Sequence, residues 1–343
     1  MRSVVTGGAG FIGSHLVDRL VADGGDVIVV DNLKTGRRNN LEGALRSGHA
    51  TFVQLDLASP TAVSDLTPLF RESAVVFHLA GLADIVPSIE RPDDYFRANV
   101  DGSYAVVEAA RAANVPSVVY AASSSCYGIP DDYPTPETAA LRPQYPYALT
   151  KLLGEQIVLH WGAVYGLGVV SLRLFNVYGP RARTSGSYGA VFGVFLAQKL
   201  AGKPFTVVGD GTQRRDFTFV SDVVDAFVRA AAALGRGESA GEIYNVGSGK
   251  PETVNRLVEL LGGDVERIPK RPGEPDCTFA DVDKIARALE WSASVSFEDG
   301  VARMLGSIEA WRDAPVWDAE SIDKATRAWF ERLGSAVNEP AAR

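Results

Sequence analysis

The apolar run Val4-Val5 leads through Thr6 into Gly7-Gly8-Ala9-Gly10-Phe11-Ile12-Gly13, and a helical pattern begins at once with Ser14-His15-Leu16. Glycines at 7, 10 and 13 predict a tight turn between a strand and a helix. Gly7 would permit the turn, Gly10 would let backbone approach a pyrophosphate, and Gly13 would let the helix pack close to the sheet. The free N–H groups and partial positive charge of the helix start suit phosphate. A second apolar run, Val27-Ile28-Val29-Val30, ends in Asp31. A carboxylate at that strand end accepts both hydroxyls of an adenosine ribose and repels a 2′-phosphate, so NAD is expected rather than NADP.

Further strands are predicted at 51–57, 74–80, 117–123 and 169–175, and helices at 59–70, 92–113 and 147–165. Strands alternating with helices, several of the strands continuously apolar, predict an α/β fold: a Rossmann-type doubly wound parallel sheet covered on both faces. From Asn176 proline and glycine become frequent and arginines enter the loops, as in Gly179-Pro180-Arg181-Ala182-Arg183 and Gln213-Arg214-Arg215-Asp216. The expected organisation is a dinucleotide-binding domain over 1–176, rejoined by the chain around 217–245. A smaller substrate-binding lobe would take 177–216 and 246–335, and a polar tail 336–343.

The 343 residues carry a formal net charge of −8, which argues against nucleic-acid or anionic-membrane partners. An anionic ligand would then depend on locally placed arginines. Two cysteines, Cys126 and Cys277, make no disulfide framework, and four scattered histidines suggest no metal site. With a strand so near the first residue and no apolar run of membrane-spanning length, a cytoplasmic protein is expected.

The chemistry is expected from three residues. Tyr147 and Lys151 stand four apart, on one face of a helix. Ser123 closes the fifth strand, at the sheet end that faces a dinucleotide. Tyr-x-x-x-Lys alone describes many surface helices; its position after the dinucleotide motif and a serine-ended strand sets it apart. A free tyrosine titrates near pH 10, and bringing it to neutrality takes roughly 4 kcal/mol. The Lys151 ammonium and a positive nicotinamide would supply it, with Ser123 relaying the proton of a substrate hydroxyl.

These motifs together resemble the extended short-chain dehydrogenases/reductases of the NAD-dependent epimerase/dehydratase type, most of all the nucleotide-sugar 4-epimerases. The likeness runs from Val4 to about Met304. It is carried by Thr6–Gly13, Asp31-Asn32-Leu33, Asp56-Leu57, His78-Leu79-Ala80-Gly81, Asn99-Val100-Asp101-Gly102, Ala122–Gly128, Tyr147–Lys151, Arg173-Leu174-Phe175-Asn176, Arg215-Asp216-Phe217 and Arg271-Pro272-Gly273-Glu274. It implies that Gly7, Gly10, Phe11, Ile12 and Gly13 hold the NAD pyrophosphate and that Asp31 and Asn32 hold the adenosine ribose. Asp56 and Leu57 would flank adenine, Ala80 and Leu82 would line the way to the nicotinamide, and Asn99, Tyr147 and Lys151 would complete the cofactor set. On the substrate side, Asn176, Arg215 and Arg271 would grip a sugar-nucleotide diphosphate, with Val191, Thr206 and Val208 near the base.

Two positions narrow the expected reaction. Ser124 and Ser125 stand where the related 4,6-dehydratases carry an Asp–Glu pair, and a hydroxyl is a poor acid for expelling C6 hydroxide. That leaves oxidation at C4, rotation of the 4-keto sugar and hydride return, on a UDP-hexose or UDP-N-acetylhexosamine. A C4 dehydrogenase, 2-epimerase or dehydratase acting on a UDP-, GDP-, CDP- or dTDP-sugar is the alternative. Thr278 is small where a bulky residue in the family excludes N-acetylhexosamines. Ala83 replaces a lysine found in several galactose epimerases, while Arg181 and Arg183 add charge that would face a uronate or a phosphate. The resemblance also implies a homodimer, formed through the helices beginning near Pro92 and Tyr147, with Leu153, Ile157 and Val158 as the apolar stripe.

Overall fold

In a computed structural model the residues described are 1–182 and 190–334; Arg183 and the tail 336–343 lie outside them. Seven strands form one sheet: β1 Arg2–Thr6, β2 Asp26–Asp31, β3 Ala50–Gln54, β4 Val75–His78, β5 Ser117–Ser123, β6 Gly168–Leu174 and β7 Glu242–Val246. Their order is 3-2-1-4-5-6-7 and every neighbouring pair is parallel. The order reverses at β1, and ligands of such sheets bind beyond the strand ends at that switch point.

Alternation along the strands explains the two layers. Val5, Val29, Phe77 and Val119 point to one face, where the helices Phe11–Ala22 and Val220–Gly235 cover them. Val4, Val30, Val76 and Val118 point to the other, beneath the helices Ala62–Phe70 and Gly102–Ala112. Strands buried on both sides must be apolar without interruption, which is why they stand out in the sequence. A third core, built on Phe192, Phe195, Phe205, Phe217, Leu257 and Trp311, belongs to the part above the sheet. There Phe205–Val208 pairs in parallel with Val265–Ile268, and Arg214–Arg215 pairs antiparallel with Glu252–Thr253.

Two elements differ from expectation. The predicted strand 51–57 ends at Gln54, opposite Asp31, the last residue of β2; the Leu55 amide makes the closing bond to the Asp31 carbonyl (3.1 Å). The predicted helix 92–113 is interrupted: Pro92–Phe96 and Gly102–Ala112 flank a π-helical turn, Arg97–Asp101. Such turns insert a residue and often mark functional sites. Among the described residues no helix is long and apolar enough to cross a membrane.

Candidate active site

The glycine turn sits where β1 meets β4. Gly7 has φ +70°, and a Cβ there would lie 2.6 Å from the Ala80 amide nitrogen. Only glycine closes this turn against the end of β4. Gly13 needs correction: a Cβ on it would meet the Gly7 carbonyl oxygen at 2.2 Å, whereas a Cβ on Gly8 would meet Val29 Cγ1 at 2.6 Å. Close packing on the sheet therefore falls to Gly8, while Gly13 packs on the turn itself. The helix Phe11–Ala22 starts at Gly10 with no side-chain cap and no acid in its first turn. Its leading amides open on the cleft and suit an anion.

Asp31 ends β2 with its carboxylate held by the Ala9 amide (3.0 Å) and the Leu33 amide (2.8 Å). Burial raises its pKa against the pull of those two bonds. Asn32 accepts from the Lys34 amide (2.9 Å), and Asp56 accepts from the Ala58 amide (3.0 Å) beside buried Leu57. All four line one cleft of about 930 Å³, together with Gly7, Gly10, Phe11, Ile12, Gly13, Ala80 and Leu82. An uncapped helix start, a glycine turn and a ribose-height carboxylate on one wall fit a dinucleotide.

The candidate chemistry lies at the far end of this wall. Ser123 ends β5, and the Tyr147 hydroxyl, from the first turn of the helix Pro146–Tyr165, donates to Ser123 Oγ at 3.2 Å. Ser125 Oγ lies 2.8 Å from Ser123 Oγ, so the three hydroxyls form one cluster at the cleft. Burial raises the Tyr147 phenol above its usual range, opposed by its bond to Ser123 and reinforced by the nearby Asp84 charge. In the protein alone the expected depression of Tyr147 is therefore not seen. Lys151 lies behind the cleft wall, buried, with Nζ 4.4 Å from the centre of the Tyr120 ring. Burial pulls its pKa down to about 7, against the opposing charge of Glu155. Glu155 is itself ion-paired to buried Arg173 (2.6 Å).

Asn99 is also set behind the wall. Its amide clamps Leu82, accepting from the Leu82 amide (2.8 Å) and donating to the Leu82 carbonyl (3.0 Å), and it also donates to Thr150 Oγ1 (3.0 Å). The π-helical turn thereby fixes the loop after β4. His78 is bound through Nδ1 to Thr6 (2.8 Å) and through Nε2 to Ser103 (3.1 Å). Burial and the Lys151 charge push its pKa down to about 3, so it is neutral and structural.

The same cleft is also lined by Ser124, Asn176, Val191, Thr206, Val208, Arg215, Arg271 and Thr278. Thr278 Oγ1 donates to Asn176 Oδ1 (2.6 Å) and accepts the Asp216 amide (3.0 Å). Arg215 pairs with Glu274 (2.7 Å), and Arg271 stands 3.7 Å from the same carboxylate. Two cations share one anion, leaving a net positive charge in an acidic protein. The acid beside Arg215, Asp216, is already engaged by Ser248, Gly249 and Ala280. Arg181, at φ +62°, pairs with Asp18 (2.7 Å) and also lines the cleft. Sequence reasoning missed Glu274 as a partner, and with it Asp84, Tyr145 and Trp329 on the wall.

Fold and cleft together define a dinucleotide-dependent enzyme of the extended Rossmann class. Residues 3–247 match the model of the NAD dependent epimerase/dehydratase family. The UDP-glucose 4-epimerase of Mycolicibacterium smegmatis is 38% identical over 312 residues, covering 88% of this chain and 97% of that one. The crystal structure of UDP-glucose 4-epimerase from Thermotoga maritima with UDP-glucose superimposes with TM-score 0.81 at 32% identity, over 91% of this chain and 99% of the other. The UDP-glucuronic acid 4-epimerase of Bacillus cereus, in complex with UDP-glucuronic acid and NAD, gives 0.82 at 29% identity over 90% and 99%. The chain belongs to the NAD-dependent epimerase/dehydratase family, and its cofactor is NAD.

Proposed function

We propose that the chain is a nucleotide-sugar 4-epimerase acting on a UDP-hexose or UDP-N-acetylhexosamine. NAD, when bound, supplies the hydride acceptor and donor. Gly7, Gly10, Phe11, Ile12 and Gly13 hold its pyrophosphate, Asp31 and Asn32 its adenosine ribose, Asp56 and Leu57 its adenine, and Ala80 and Leu82 its nicotinamide half, with Lys151 behind that wall. Tyr147 takes the proton of the C4 hydroxyl, Ser123 orients that hydroxyl, and the Lys151 ammonium stabilises the phenolate. Asn176, Arg215 and Arg271 grip the diphosphate, with Val191, Thr206 and Val208 at the base. The observation that carries this reading is the 3.2 Å bond between Tyr147 and Ser123 beside a carboxylate-free Ser124-Ser125 pair. Without an acid at those positions the 4-keto sugar keeps its C6 hydroxyl, rotates, and is reduced on its other face. Thr278 supports N-acetylated substrates, because its hydroxyl is drawn to Asn176 and Asp216 rather than into the cleft.

We also propose the division of the chain given by its sequence, with the lobe of 177–216 and 246–335 closing over the NAD domain. A homodimer is proposed through the outer helices, and two unpaired cysteines suit a cytoplasmic setting. Incubation with UDP-, GDP-, CDP- and dTDP-sugars, followed by proton NMR in deuterium oxide, tests the function. A C4 epimer without deuterium uptake or net NADH is expected. Loss of water, deuterium uptake or stoichiometric NADH would instead mean a dehydratase, 2-epimerase or dehydrogenase. Tyr147→Phe is expected to lower turnover about 10²- to 10⁴-fold while NAD still binds; turnover at the wild-type rate would remove Tyr147 as the base.

A further inference from the structure

The last helix, Ala319–Leu333, lies beyond the family match at 3–247 and beyond every motif that pointed to function. It nevertheless reaches the cleft through Trp329, which is 3% exposed and lines the wall. Three contacts fix the indole. Its Nε1 donates to the Pro272 carbonyl at 2.8 Å. Its ring carries the Arg271 guanidinium, 5.6 Å from the ring centroid. It lies tilted against Tyr145 at a centroid distance of 6.4 Å, and Tyr145 stacks in turn on the candidate base Tyr147 at 6.3 Å. The indole therefore spans the gap between the diphosphate-gripping arginine and the chemistry.

Arg271 also stands near an opposite charge. Glu274 Oε2 is buried without a hydrogen-bond partner and lies 3.7 Å from Arg271 Nη1. Without that aromatic platform the Arg271 guanidinium could pair closely with this oxygen, and its charge would be offset there. The same C-terminal stretch also walls the base end. Trp317 lines the cleft, and its carbonyl accepts Gln198 Nε2 (2.7 Å), which donates to Thr206 Oγ1 as well (2.8 Å).

We propose that Trp329 is a substrate-binding residue: it holds Arg271 toward the diphosphate and forms, with Tyr145, the aromatic wall against the sugar. This rests on the reading of the cleft as a nucleotide-sugar site, and it makes the C-terminal helix part of that site.

The NAD-loaded enzyme would be titrated calorimetrically with UDP, dTDP and GDP. Trp329→Leu is expected to weaken the tightest of these about tenfold and leave NAD affinity within about twofold, while Trp329→Phe, which keeps a ring face, loses less than about threefold. Combined with Arg271→Ala, Trp329→Leu should add little, since both remove one interaction. In the unaltered protein the same nucleotide should slow hydrogen exchange in the helix 319–333, a readout that needs no variant to fold. Unchanged affinity in Trp329→Leu, parallel loss of NAD and nucleotide, additive effects with Arg271→Ala, or no protection of that helix would each overturn the proposal. Nucleotide binding with no epimer in the nucleotide-sugar NMR panel would sink the 4-epimerase reading and leave Trp329 standing; no binding of any of the three nucleotides would overturn both.

Discussion

Lys151 is a buried cation whose surroundings disagree about its charge. Burial favours the neutral amine, while Glu155 and the face of Tyr120 favour the ammonium. With a pKa of about 7 in the folded chain against 10.5 for an ordinary lysine, the fold binds fewer protons than the unfolded chain between those values. Stability from this residue therefore rises with pH from about 7 to 10.5, and its cost is greatest at or below 7. Lys151→Met should raise the unfolding free energy by about 2 kcal/mol at pH 6, and the gain should fade toward pH 10. Urea melts at the two pH values check this; a gain independent of pH would mean that the buried charge is not its source. Turnover should fall in the same variant, exchanging stability for function. At this scale the sequence was readable where partners are local. Tyr147 and Lys151 share a helix face, and Ser123 follows from a strand end. Glu274 and Trp329 were not readable: Glu274 pairs with Arg215, 59 residues away, and Trp329 bonds to Pro272, 57 residues away, through contacts that no periodicity encodes.

The strand–turn–helix at the start shows how an element can be recognised correctly while its parts are assigned wrongly. Three glycines spaced by three predicted the turn, but which neighbour each glycine touches depends on how the chain folds back. Gly13 faces the Gly7 carbonyl, so Gly13→Ala must push backbone against backbone. A loss of about 1–3 kcal/mol is expected, with weaker NAD binding because the helix start moves. Gly43→Ala is the control: nothing lies within 4 Å of its added Cβ, and it sits in the helix Glu42–Arg46. That change should be neutral or stabilise by about 0.5 kcal/mol. Equal effects in chemical melts would mean that the contact at Gly13 is not what matters. The fully buried strands were legible for a similar reason, since burial on both faces demands uninterrupted apolar residues. The break in the helix at Arg97–Asp101 was not, because Asn99 there bonds to Leu82 and Thr150, and a helical pattern continues through it.

At the scale of the molecule, the outer surface of the helices Gly102–Ala112 and Pro146–Tyr165 exposes four large apolar or aromatic side chains. Tyr104, Leu149, Val164 and Tyr165 are 43, 45, 56 and 52% exposed. Tyr104 and Tyr165 both pack on Trp161, at 5.6 and 5.8 Å between ring centroids, so a formed aromatic patch faces outward. The stripe expected from sequence was Leu153, Ile157 and Val158, but Val158 is fully buried in the core and Ile157 packs against it. Apolar content alone does not tell a core-facing position from an outward one; the neighbouring helix decides. The proposed homodimer would cover this patch with a second copy of the same helix pair, as a four-helix bundle about a twofold axis. A stable interface of this kind buries about 800 Å² per partner, so a single charge at its rim would be tolerated and two at its centre would not. Tyr104→Glu combined with Val164→Glu should therefore convert a dimer into a monomer in sedimentation at micromolar concentration. NAD affinity should be preserved, since neither side chain lines the cleft. A wild-type protein that sediments as a monomer would remove the bundle from this picture, and a doubly substituted protein that remains dimeric would place the interface on another face.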